Sequence, residues 1–125
     1  MISFIKDFLR DFYTRYTLPI TVHNNTDSKD RVLICYIKSP FYNKSKIIKH
    51  CNIIESRIIA ETFFKSGYSV DVVDYRCMRK IDYSKYSVIF GFGHPFRRAF
   101  IHKANSIKIL YLTGSLSNWL SSLLL

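Results

Sequence analysis

The feature that most constrains the fold of this chain is a series of short segments with strand character, separated by segments with helical periodicity. They are residues 31–37, 69–74, 87–92 and 107–112. The first is almost wholly apolar, as is typical of a strand that is covered on both faces of a sheet. Between the first two, residues 50–66 place apolar side chains at helical spacing and end at Gly67, which suits a left-handed helix cap. Parallel strands joined through a helix are therefore predicted.

Two further helices complete the predicted element order. Residues 95–104 suit a short helix between the last two strands, and residues 2–16 form an amphipathic pattern. We therefore predict an α/β fold, an open parallel Rossmann-like sheet with flanking helices, preceded by an amphipathic helix. The expected organisation is a helical N-terminal segment over 1–22, a polar linker over 23–30 and a partial Rossmann-like domain over 31–125.

Composition narrows the class of protein. Hydrophobic residues make up 48% of the 125 residues, which is enough to bury a core and excludes an acidic or low-complexity disordered chain. Three widely spaced cysteines without a CxxC pair argue against a disulfide scaffold and a zinc site, so no metal is expected. No run approaches the roughly 20 apolar residues of a membrane span, and no secretory signal is recognised. The expected location is the cytoplasm, with the inner face of the membrane as a second position.

The charge is strongly positive, and much of it follows the predicted strands. Lys and Arg number 19 against 9 acidic residues, a formal net charge of +10. Ligands of open parallel sheets bind where the strands end. The cationic and histidine side chains that follow the first three strands are Lys38, Lys44, Lys46, Lys49, His50, Arg76, Arg79, Lys80, His94, Arg97 and Arg98. We expect Lys49, Arg76 and Arg97 to bind a phosphate or another anion; the alternative is that these basic loops are simply solvated.

The individual residues at this edge give unequal support for a binding site. Gly91 and Gly93 follow the third strand, where glycine would let the backbone approach a ligand closely. The full dinucleotide fingerprint is absent, which disfavours binding of a nicotinamide cofactor, and no cofactor is expected. His50 lies just before a helix and is a candidate ligand contact. Asn52 and Glu55 suit a helix-capping role at least as well as ligand contact.

Four segments occur in an order that resembles the amino-terminal domain of group-1 glycosyltransferases. They are residues 50–56, 67–75, 88–93 and 109–115. The resemblance implies a GT-B-type architecture, in which the amino-terminal domain mostly holds the acceptor and a second domain holds the nucleotide-sugar donor, without an obligatory metal. The substrate-binding residues that it implies are His50, Asn52, Gly91, Gly93, Thr113 and Gly114. It assigns no catalytic residue.

The resemblance also implies the partners. They are a sugar or lipid-linked acceptor, with a nucleotide-sugar donor only if a carboxyl-terminal domain is supplied. After Thr113 and Gly114 the chain ends with residues 116–125, without the donor domain of the family. The expectation from the sequence is therefore an incomplete glycosyltransferase fragment that is inactive alone.

Two other functions stay open. The helix over residues 2–16 has an apolar face, so the chain could be a peripheral membrane module. Asp7 and Asp11 favour packing of this helix against the domain instead. Nucleic-acid binding would also suit the net charge. However, the aromatic residues alternate with aliphatic ones as core residues do and no RNA-binding motif is recognised, so a nucleic-acid partner is not expected.

Overall fold

The computed structural model describes residues 2–42, 51–102 and 104–112 of the chain, which form a five-stranded sheet with flanking helices. The elements are α1 (Ile2–Tyr16), β1 (Ile20–His23), β2 (Arg31–Tyr36), α2 (Ser39–Tyr42), α3 (Cys51–Lys65), β3 (Ser69–Asp74), a 3-10 turn (Tyr83–Lys85), β4 (Val88–Gly91), α4 (Gly93–Ile101) and β5 (Ile107–Leu110). The predicted α/β class and the helices that flank the sheet are thus confirmed.

The strands are arranged in the order β1-β3-β2-β4-β5. Four of them, β2 to β5, are parallel, and Val32 of β2 lies between Val70 of β3 and Val88 of β4. Since β3 lies on one side of β2 and β4 on the other, the winding direction reverses at β2. This reversal is consistent with a Rossmann-like fold, and it creates a crevice at the carboxyl ends of the strands where ligands of such folds bind.

The prediction of an all-parallel sheet is wrong at one edge. Residues Ile20–His23 form β1, which pairs antiparallel with β3 and places Ile20 beside Val72. The sequence pattern places these residues in the helical segment and the linker, because four residues after Pro19 are too few to show an alternating pattern. Their strand conformation depends on pairing with β3, which the local sequence does not reveal.

Both faces of the central strands β2, β3 and β4 are covered, and this explains why most of their residues are apolar. One face of β2, β3 and β4 presents Leu33, Val73 and Ile89, which join a buried cluster with Phe96 and Ala99 of α4. The other face has a second buried cluster, made of Val32, Ile34, Tyr36, Ala60, Val70, Val72 and Val88, with Ala60 supplied by α3. Alternate residues of each strand therefore enter different cores, as the period of two requires.

A buried carboxylate joins the edge strand to the centre of the sheet. Asp71 of β3 accepts hydrogen bonds from the Thr21 hydroxyl at 2.8 Å and from Arg31 at 2.5 Å. Its second oxygen accepts the Tyr86 hydroxyl at 2.7 Å. Burial raises the pKa of Tyr86, so the phenol stays protonated and acts as the donor. A buried carboxylate with three partners avoids the cost of an unpaired buried charge.

Gly91 and Gly67 offer a matched test of the packing between β4 and β2. A Cβ atom on Gly91, which has φ +128°, would lie 2.1 Å from the Cys35 carbonyl oxygen, whereas Gly67, with φ +100°, has open space around it. We expect Gly91→Ala to lower the free energy of unfolding by more than about 3 kcal/mol, through backbone strain and overpacking together. Gly67→Ala should lower it by about 1–2 kcal/mol, through strain alone. Urea titration measures both, and equal losses would contradict this account.

Candidate functional site

A cleft of about 580 Å³ lies at the carboxyl-terminal side of the sheet, next to α4. Its walls come from the segment after β3, from the β4–α4 connection with α4 itself, and from β5. The lining residues are Tyr75, Arg76, Phe92, Gly93, His94, Phe96, Arg97, Phe100, Lys108 and Leu110. The parallel arrangement brings these distant segments together, because the carboxyl ends of parallel strands meet at one edge.

Aromatic rings form much of the cleft surface. The rings of Tyr75 and Phe92 have centroids 5.1 Å apart, and those of Phe96 and Phe100 are 5.4 Å apart in an edge-to-face arrangement. Phe96 is buried and Phe100 is exposed, so the rings lead from the core to the surface. A concave surface of this kind suits a ligand with a planar or apolar portion.

The cations at the cleft differ in the ion pairs and hydrogen bonds that they already make within the protein. Arg76 is held by two carboxylates, with Asp74 and Asp11 each 3.1 Å from one of its nitrogens. Lys108 donates hydrogen bonds to the carbonyl groups of Ala104 and Ser106. Arg97 is exposed and, among the residues that the structure describes, its side chain has no hydrogen bond or ion pair. Arg97 is therefore the cation that is most available to an anionic ligand.

Backbone conformation and packing within the fold explain why positions 91 and 93 are glycine. Both have positive φ, and a Cβ atom on Gly93 would lie 2.3 Å from the carbonyl oxygen of Tyr75. The close approach that the glycines permit is thus made to the carbonyl groups of Cys35 and Tyr75. Gly93 also lines the cleft. Contact of either glycine with a ligand stays a prediction.

The amino terminus of α4 is a weak anion site. The N–H group of His94 donates to the Tyr75 carbonyl at 2.8 Å, and Pro95 has no N–H group to offer. In the described part of the chain, Gly93 has the one remaining amide among the first three positions of the helix. Any anionic portion of a ligand would therefore depend on side chains such as Arg97 more than on helix amides.

The predicted cationic edge is divided between the cleft and internal contacts. Arg76, His94 and Arg97 meet at the cleft. Lys38 is buried and donates hydrogen bonds to the Thr17 hydroxyl and the Leu18 carbonyl. The remaining described members of the set bind the chain's own carbonyl groups or lie elsewhere: Arg79 donates to Tyr16, Arg98 donates to Met78 and Arg79, and Lys80 lines a separate cavity near the 3-10 turn.

Several predicted site residues lie outside the described residues. They are Lys44, Lys46, Lys49, His50, Thr113 and Gly114. Asn52 is the second residue of α3. Of the predicted anion-binding residues, Arg76 and Arg97 are therefore brought together at the cleft, and of the predicted substrate-binding residues Gly93 lines it.

The aromatic lining and Lys108 were not predicted from the sequence. A local pattern could have indicated part of the lining, because Tyr75-Arg76 and Phe96-Arg97 each place a ring beside a cation shortly after a predicted strand. Phe100, Lys108 and Leu110 have no such pattern, since only the tertiary fold brings α4 beside β5. Within the described ranges no group of three or more potential metal-ligating side chains is present.

The buried Lys38 allows a test of the contacts that it makes with Thr17 and Leu18, just after α1. Burial lowers the pKa of its ammonium group below the ordinary 10.5, although Asp74 opposes the shift. Between this lowered value and 10.5, the unfolded chain binds more protons at Lys38 than the folded chain does. The contribution of Lys38 to the free energy of unfolding therefore increases as pH rises through this range. Each pKa unit of lowering corresponds to about 1.4 kcal/mol.

We therefore expect the stability of the wild type, relative to Lys38→Met, to increase as pH rises towards 10.5. Denaturant unfolding at several pH values measures this difference. Lys29→Met, at an exposed lysine in the β1–β2 connection, is the matched control. The same dependence on pH in both variants would contradict the assignment to Lys38.

No protein-family model, no curated protein and no solved structure matches this chain. The comparisons thus identify neither a glycosyltransferase domain nor another family, and a functional proposal depends on the fold and on the cleft.

Proposed function

We propose that the chain is the acceptor-side domain of a GT-B-type glycosyltransferase and that the cleft beside α4 binds a phosphorylated or lipid-linked sugar acceptor. The observation that carries the proposal is that Arg97, a cation without a partner among the described residues, lines the same cleft as the aromatic rings at the strand ends.

The topology is compatible with this role. The resemblance of residues 50–56, 67–75, 88–93 and 109–115 to group-1 glycosyltransferases implies a Rossmann-like acceptor domain. The strand order β3-β2-β4-β5 has the reversal at which ligands of such sheets bind. Many functions share this topology, so the chemistry of the cleft carries more weight than the fold.

The cleft surface suits an acceptor with two chemically different portions. Rings such as Tyr75 and Phe92 offer apolar faces to a sugar ring or to the first carbons of a lipid. The Arg97 guanidinium can form paired, charge-assisted hydrogen bonds with a phosphate group. Arg76 is already paired with Asp74 and Asp11, so Arg97 supplies the positive charge that is available to the acceptor. The described residues would thus bind and orient the acceptor.

Titration of the full chain with glucose 1-phosphate, followed by calorimetry, tests the proposal. We expect binding that Arg97→Glu weakens by about tenfold or more, because a hydrogen bond to a charged group contributes about 1.5–3 kcal/mol. Arg97→Lys should have an intermediate effect, since it keeps the charge and loses the paired geometry. Lys29→Glu reverses an exposed charge just before β2, near the amino-terminal end of that strand and away from the cleft, and serves as the matched control.

Two further ligands make the assignment more specific. Free glucose should bind more weakly than glucose 1-phosphate and should be insensitive to Arg97→Glu, because it carries no anion. A short-chain polyprenyl phosphate should bind more tightly than inorganic phosphate if the rings contact the lipid. Absence of binding by both phosphorylated ligands, or equal binding by wild type and Arg97→Glu, would overturn the proposal.

A further inference from the structure

The apolar face of α1 points away from the sheet. Its members Ile2, Ile5, Phe8, Leu9, Phe12 and Tyr16 have exposed fractions between 46% and 73%. At the angular spacing of an α-helix these positions cover a continuous arc of about 120°. Each of them is exposed in the part of the chain that the structure describes.

The opposite face of α1 holds the helix to the domain. Asp11 accepts a hydrogen bond from Arg76 at 3.1 Å, and the Arg15 carbonyl accepts the Met78 N–H group at 2.7 Å. Just after the helix, Lys38 donates hydrogen bonds to Thr17 and Leu18. These contacts fix the rotation of α1 about its own axis. The helix thus contacts the domain through Asp11 and its carboxyl-terminal end, whereas its apolar residues stay exposed.

The charges around the arc favour an anionic lipid surface as its partner. Lys6 borders the arc on one side and Arg15 on the other. Asp7 and Asp11 lie on the opposite face, where Asp7 pairs with Arg10 at 3.0 Å and Asp11 pairs with Arg15 and Arg76 at 3.1 Å. Arg15 is therefore engaged by Asp11, whereas Lys6 has no ion pair among the described residues. An apolar arc with Lys6 at its border, on a chain with a net charge of +10, is complementary to anionic phospholipid.

We propose that α1 lies in the plane of an anionic bilayer, with its apolar arc in the boundary between headgroups and acyl chains and with Lys6 at the lipid phosphates. None of the described helices is long and apolar enough to cross a membrane. Since Asp11 contacts Arg76, and Arg76 lines the cleft, the polar face of α1 lies next to the cleft wall. Membrane binding itself does not rest on the proposed sugar transfer.

Flotation of the full chain with lipid vesicles tests the proposal. We expect binding to vesicles of phosphatidylcholine that contain phosphatidylglycerol, and much weaker binding to phosphatidylcholine alone. Phe12→Glu should lower the partition coefficient about tenfold or more, because it removes one buried ring and adds a negative charge to the arc. Ser3→Glu makes the same change of side-chain charge on the polar face, and it should lower partitioning by less than about threefold.

Circular dichroism and urea unfolding confirm that both variants fold, which is expected because both positions are exposed. The proposal is overturned if the wild type stays unbound in the presence of phosphatidylglycerol, or if Phe12→Glu floats as well as the wild type. A wild-type dimer in sedimentation that Phe12→Glu dissociates, without vesicle binding, would assign the arc to a second copy of the chain. Titration with glucose 1-phosphate in the absence of vesicles reports on the cleft separately, so each proposal can fail without the other.

Discussion

The contact on which the cleft depends is the close approach of the β4–α4 connection to the ends of β2 and β3. Gly91 lies against the Cys35 carbonyl, Gly93 lies against the Tyr75 carbonyl, and the His94 N–H group donates to that same Tyr75 oxygen. A side chain at either glycine would push α4 away from the strand ends. Phe92, Phe96 and Arg97 take their positions from this contact, so the geometry of the cleft is a consequence of backbone packing.

The net charge of the chain does not by itself locate a ligand. Lys38, Arg79 and Arg98 all donate hydrogen bonds to carbonyl groups of the chain. Their positive charge holds the N-terminal segment and the loop after β3 in place, which is a structural use of cations near a binding edge. Arg97 differs because no described residue satisfies its guanidinium group. The distinction between these cations depends on distances that a count of Lys and Arg does not contain.

The local sequence pattern was sufficient to predict most strands of the sheet. It did not predict the elements whose conformation depends on pairing with a distant strand. The strand patterns at 31–37 and 69–74 correspond to β2 and β3, because strands buried on both faces are mostly apolar, and a buried polar residue such as Asp71 has hydrogen-bond partners. The edge strand β1 was missed, since four residues acquire strand conformation only by pairing with β3. The aromatic cleft was missed for a related reason, because Phe100 of α4 and Leu110 of β5 become neighbours only when β5 joins the sheet.

The sequence by itself determined the type of the main helices and parallel strands, the amphipathic character of α1 and the position of cations after the strands. These properties follow from side chains a few residues apart, whose spacing sets which face of a helix or strand is apolar. Only the tertiary structure decided the antiparallel edge and the rotation of α1 about its axis. It also decided which arginine stays available at the cleft. Each of these depends on a partner far away in the chain, as when Asp11 meets Arg76.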